Sequence, residues 1–102
     1  MSGDIEVRNV FSMRGRGAVA IGYLREGSVR VGQRTRPLAF GVGPDRVLTL
    51  AAVVAMHAPD GGGDALGLVF RERPSLADLR LALVPGTVIR FEDDPKAVTE
   101  VP

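Results

Sequence analysis

Apolar and polar residues alternate through Ile5-Glu6-Val7-Arg8-Asn9-Val10, the period of a strand with one face in a core and one in water. The same period returns over 17–24, where Val19, Ile21 and Tyr23 share one face and Ala18, Ala20 and Gly22 share the other. Gly15, Gly17, Gly22, Gly27 and Gly32 fall where the chain must turn tightly or let two backbones approach, so all five are expected to be structural. A short strand is expected over 28–31 and another over 34–40, the latter at an edge or bulge because Pro37 has no N–H for a ladder. Residues 46–57 are the most apolar run, with Val47, Leu48, Leu50, Val53, Val54 and Met56 out of clean alternation. That is expected of a long strand buried on both sides or crossing a barrel. After the loop Asp60-Gly61-Gly62-Gly63-Asp64, 65–71 reads as a strand. Ser75 is placed to cap a short helix, with Asp78 at the capping-box position and Pro85-Gly86 as its stop. A last strand is expected over 87–91.

With the first strand over 5–14, this makes seven strands, glycine turns and one helix. The expectation is an all-β fold: a small closed antiparallel barrel, Greek-key-like, formed by a single domain over 1–91. Residues 92–102 are charged, hold two prolines and are expected to form a flexible tail.

Val10-Phe11-Ser12, followed by Gly15-Arg16-Gly17, Gly22, Glu26-Gly27 and Val31-Gly32, resembles the opening of domain 2 of the translation GTPases, the β-barrel of elongation factor Tu and its relatives. Gly63-Asp64-Ala65-Leu66-Gly67-Leu68-Val69-Phe70-Arg71 resembles that family's glycine–acid strand before its short helix. Pro85-Gly86-Thr87-Val88-Ile89 resembles the family's return to its closing strand. The resemblance spans roughly 5–91 and implies a domain 2-like barrel. It also implies a function: in translation factors this domain touches the tRNA acceptor end or ribosomal RNA and packs on the GTPase domain. By motif match, Arg14, Arg16, Arg25 and Glu26 are the residues carried over as RNA-contacting, with RNA or a GTPase or ribosomal partner as the expected ligand.

Composition narrows the picture. A chain of 102 residues, 45% hydrophobic, has room for one core. With no cysteine it has neither disulfides nor thiolate metal sites. The polar start Met1-Ser2-Gly3-Asp4-Ile5-Glu6 lacks a signal-peptide core. The apolar run 50–56 is far short of the ~20 residues that span a bilayer. The expectation is a soluble, cytoplasmic protein with no membrane contact.

The net charge of +1 conceals an asymmetry. Residues 8–36 hold seven arginines (Arg8, Arg14, Arg16, Arg25, Arg30, Arg34, Arg36) and one acid, Glu26, a local charge of +6; from Asp60 onward the local charge is −3. Arginine's planar fork pairs with phosphate and stacks on bases, so Arg30, Arg34 and Arg36 extend the candidate RNA-binding face. Aromatics are 5% of the chain, and Phe11 and Tyr23 are the candidates for base stacking.

Enzymatic readings fail on spacing. Gly15-Arg16-Gly17-Ala18-Val19-Ala20 satisfies the dinucleotide fingerprint formally, yet the segment after it reads as a strand rather than the helix that would hold a pyrophosphate. No phosphate-cradling Gly-x-x-x-x-Gly-Lys motif occurs. His57 is the single histidine, too few for a zinc site, and Ser2, Ser12, Ser28 and Ser75 carry no nucleophile elbow. Asp60 and Asp64 lack calcium-loop spacing. No catalytic residue, metal or cofactor is expected. Two function classes remain: an RNA-binding module using the basic face, and a protein-interaction or structural module that does not bind nucleic acid. Glu92, Asp93 and Asp94 would oppose the first if they lay near that face.

Overall fold

The computed structural model describes residues 2–40, 43–57 and 64–93. Its elements run β1 (Ser2–Met13), β2 (Gly17–Gly27), β3 (Arg34–Thr35), β4 (Leu50–His57), β5 (Asp64–Phe70), α1 (Leu76–Ala82) and β6 (Val88–Glu92). The strands form one six-stranded sheet in the order β3-β6-β1-β2-β5-β4, and every neighbouring pair is antiparallel. The fold is therefore mostly antiparallel sheet with one short helix, as the alternation implies.

The continuous closed barrel expected from the sequence is not formed: β3 and β4 are the two edges of the ladder. The expected strand over 28–31 is absent. That over 34–40 shrinks to Arg34–Thr35 plus a bridge between Leu38 and Arg46, and the strand expected from 46 begins only at Leu50. Pro37 is one physical reason, since it interrupts hydrogen bonding two residues after Thr35. What joins the edges is a seam of isolated bonds around the Arg34–Thr49 bridge. Gly32 N–H donates to the Leu50 carbonyl (2.9 Å), Leu50 N–H to that of Gln33 (2.9 Å) and Thr35 N–H to that of Leu48 (2.8 Å).

Three β-bulges explain where simple alternation fails. Val7 pairs with Gly22 and Asn9 with Ile21, leaving Arg8 extra on β1. Hence Val7 and Val10, three residues apart, are both buried while Arg8 and Asn9 are exposed. The Asn9 side chain accepts from the Val10 N–H at this bulge (2.8 Å). On β2, Arg25 is extra between the pairs Ile5–Leu24 and Asp4–Glu26. On β4, Ala51 is extra between Leu50–Phe70 and Ala52–Val69. The irregular apolar run thus reflects a bulge: Leu50 lies in the core and Val53 packs against it across the inserted Ala51.

The core gathers Ile5, Val7, Val10, Ala20, Leu48, Leu50, Leu68, Phe70, Leu79, Leu83, Ile89 and Phe91. Phe70 and Phe91 stack at its centre, ring centroids 6.4 Å apart. The small face of β2 looks into this core, whereas Ile21 joins Ala65 in a separate cluster flanked by Phe11, Tyr23 and Met56. Close approach is the reason: a Cβ on Gly22 would run into the Glu6 carbonyl oxygen and Ile5 Cγ2. The helix starts where the sequence places it, with the Ser75 hydroxyl accepting from Asp78 N–H (3.1 Å). Leu79 and Leu83 are its buried anchors. Glu92 ends β6 and Asp93 follows it in ion-paired contact, so the first two residues of the expected tail belong to the fold. The remainder of that tail, with the loop acid Asp60, lies outside the described residues.

Candidate nucleic-acid interface

The arginines that form one run in the sequence separate in space. Arg14 and Arg16 sit on the tight β1–β2 turn, closed by a bond from Arg16 N–H to the Met13 carbonyl (3.0 Å). The turn needs Gly15 and Gly17 at φ of +81° and +78°, which side chains other than glycine rarely adopt. Arg25 and Glu26 lie at the far end of β2. At ~3.3 Å per strand residue, about 30 Å separates Arg16 from Arg25. A single contiguous face therefore does not hold all of the candidates.

The far group is met by acids. Arg25 pairs with Glu6 through its Nη1, and Arg8 reaches the same carboxylate at 3.1 Å. Both arginines are the extra residues of bulges, and both bulges turn them onto Glu6. The Arg8 guanidinium also lies 5.7 Å from the Tyr23 ring centroid. Arg30 binds Asp93 at 3.2 and 3.3 Å, and Arg36 binds Glu92 at 3.3 Å. Arg34, in β3, is half-buried and likewise has partners. Arg90 of β6 bridges Asp4 and Glu92, each at 3.4 Å. Glu26 faces Asp4 across the β1–β2 ladder, and both line a hollow of about 110 Å³ with Ser2, Gly3, Gly27 and Arg90. Two carboxylates at that hollow disfavour phosphate there.

The reason is topological. Strand β6 lies between β3 and β1, so the acidic end of the described chain is laid against the basic stretch. The turn behaves differently. Arg14 and Arg16 are exposed, and among the described residues neither makes an ion pair. Of the stacking candidates, Phe11 lies on β1 close to this turn and Tyr23 lies toward the other end of β2; both are half-buried over the Ile21–Ala65 cluster.

Sequence reasoning missed Gln33, which is 1% exposed. Its side-chain oxygen accepts from Arg30 N–H (2.9 Å) and its amide donates to Asp93 (3.3 Å), fixing the Arg30–Asp93 pair. A buried glutamine between a turn and a two-residue strand carries no periodic signal. Of the chemical alternatives, His57 ends β4 opposite Asp64 in the ladder. Among the described residues no group of three or more His, Cys, Asp or Glu side chains is placed to hold a metal ion. No helix among them is long and apolar enough to cross a membrane. The chain matches no protein-family model and no curated protein.

Proposed function

We propose that the protein is a non-enzymatic, barrel-like β module, similar to domain 2 of translation GTPases, that binds RNA or a translation-related ribonucleoprotein in the cytoplasm. On this reading the edges of the sheet are stapled at the Arg34–Thr49 seam in a Greek-key-like body. The observation that carries the proposal is the β1–β2 turn. It presents two exposed arginines on a short hydrogen-bonded turn without an acid partner among the described residues. Exposed, uncompensated guanidinium groups suit phosphate, whereas arginines already held by carboxylates must first give up those contacts. Arg25, Arg30, Arg34, Arg36 and Glu26 then contribute less than Arg14 and Arg16.

Titration of the purified chain with tRNA at low and physiological ionic strength tests this. Binding that weakens steeply with salt is expected, with a log–log slope of about −0.7 to −0.9 per phosphate contact. Replacing Arg14 and Arg16 together by glutamine is expected to flatten that slope by about one to two contacts at an unchanged melting temperature. A protein-interaction module is the second reading. It is favoured by β4, an edge strand in which Leu50 to Met56 hold no charge and no proline. No RNA binding at either ionic strength would decide for it.

A further inference from the structure

The β1–β2 turn is not alone at its end of the sheet. The β2–β5 ladder ends at Val19 and Val69. Two residues farther along that register, Gly17, the first residue of β2, and Arg71, which follows β5, fall at the same end of the sheet. The loop after β5 therefore emerges beside the turn and carries Arg71, Glu72 and Arg73. All three are exposed, and among the described residues neither Arg71 nor Arg73 makes an ion pair.

Two details set this loop apart from an ordinary charged surface. The acid between the arginines is occupied elsewhere: Glu72 accepts from Thr49 N–H (2.6 Å) and from the Thr49 hydroxyl (2.8 Å) at the seam. Its carboxylate thus anchors the loop and forms no ion pair with its neighbours, and the Arg71–Arg73 segment keeps a net charge of +1. Arg73 also has φ +49°, the one non-glycine residue with positive φ among those described. Glycine or asparagine suits that conformation better, so the arginine is not there for the backbone. The Arg73 N–H closes the turn onto the Phe70 carbonyl (3.2 Å).

We propose that the β1–β2 turn and the β5–α1 loop form one phosphate-binding pole, in which Arg71 and Arg73 join Arg14 and Arg16 on the backbone of single-stranded RNA. The inference rests on the RNA-binding reading and assigns its contact surface. Four guanidinium groups on two anchored loops engage phosphates without reading bases, so recognition at the pole is independent of sequence.

The test is titration of the full chain with a labelled oligouridine over a range of salt concentrations. Arg71→Gln with Arg73→Asn is expected to flatten the log–log slope by about one to two contacts, as much as Arg14→Gln with Arg16→Gln does. Asparagine keeps the positive φ accessible, and an unchanged far-ultraviolet spectrum with a melting temperature no lower than the parent's shows that the variant is folded. Arg90→Gln, on the β6 side of the sheet, is expected to leave the slope unaltered. If the loop variant keeps the parental slope while the turn variant flattens it, the shared pole is wrong and RNA binding by the turn stands. If Arg90→Gln flattens the slope as much as the loop variant, binding is diffuse and the pole is again wrong. A parent chain that does not bind oligouridine or tRNA overturns both proposals.

Discussion

Gly22 and Arg73 show how much a single position can constrain the chain. Gly22 has ordinary backbone angles, so its requirement is space alone: β1 passes close enough that the Glu6 carbonyl oxygen and Ile5 Cγ2 occupy the room of a Cβ. Gly22→Val forces apart the pair Val7–Gly22 at the bulge beside it. Overpacking commonly costs about 1–3 kcal/mol, so a clear drop in the urea midpoint is expected, and an unchanged unfolding curve would show that β1 yields freely. Arg73 presents the opposite case. A non-glycine residue held in the left-handed region costs about 1–3 kcal/mol, and no ion pair among the described residues compensates for it. Arg73→Asn is therefore expected to leave stability unchanged or raise it by up to about 1 kcal/mol in urea unfolding. A loss of stability would assign Arg73 a structural role.

At the scale of elements, the helix and the seam depend on few contacts. α1 has seven residues, too short to persist without packing, and is held by its cap and by the burial of Leu79 with the capping Leu83. Ser75→Ala removes the side-chain acceptor of Asp78 N–H and is expected to cost about 1 kcal/mol, read as a lowered melting temperature. Leu79→Ala, which empties a fully buried site, is expected to cost about 2–5 kcal/mol in the same measurement. The arginine bulges act at this scale too. They insert one residue into β1 and one into β2, and both inserted side chains meet at Glu6. Such exposed pairs contribute about 0–1 kcal/mol each, so their main effect is on the surface field rather than on folding.

Across the whole molecule, strand order redistributes charge. A linear asymmetry of +6 against −3 becomes a surface in which Glu92 and Asp93 face the arginines of 30–36, while the arginines of the β1–β2 turn and the β5–α1 loop, with Arg80 of α1, make no ion pair among the described residues. Glu92→Gln frees Arg36 and loosens Arg90 without touching either loop. If RNA binds at the arginine pole, this change adds at most a secondary contact. The salt slope is then expected to steepen by no more than about one. A larger steepening would place the principal contact on the Arg30–Arg36 side.

Alternation by itself determined that the chain is built of strands. Ile5 and Val7, Leu68 and Phe70, and Ile89 and Phe91 recur at the strand period, and their shared face follows from local geometry alone. Ser75 marked the helix start for the same reason, because capping involves only neighbours in sequence. The bulges at Arg8, Arg25 and Ala51 were not legible, since an inserted residue is defined by the partner strand. Nor was the open ladder: closure depends on how far β3 and β4 run alongside each other, a question of distant segments. The arginines were visible as a charge run, and tertiary structure alone decided which kept their charge uncompensated. Ion pairing at Arg30 and Arg36 depends on residues more than fifty positions away. Arg71 and Arg73 stood outside the basic run, and only the β2–β5 register brings them to the turn that carries Arg14 and Arg16.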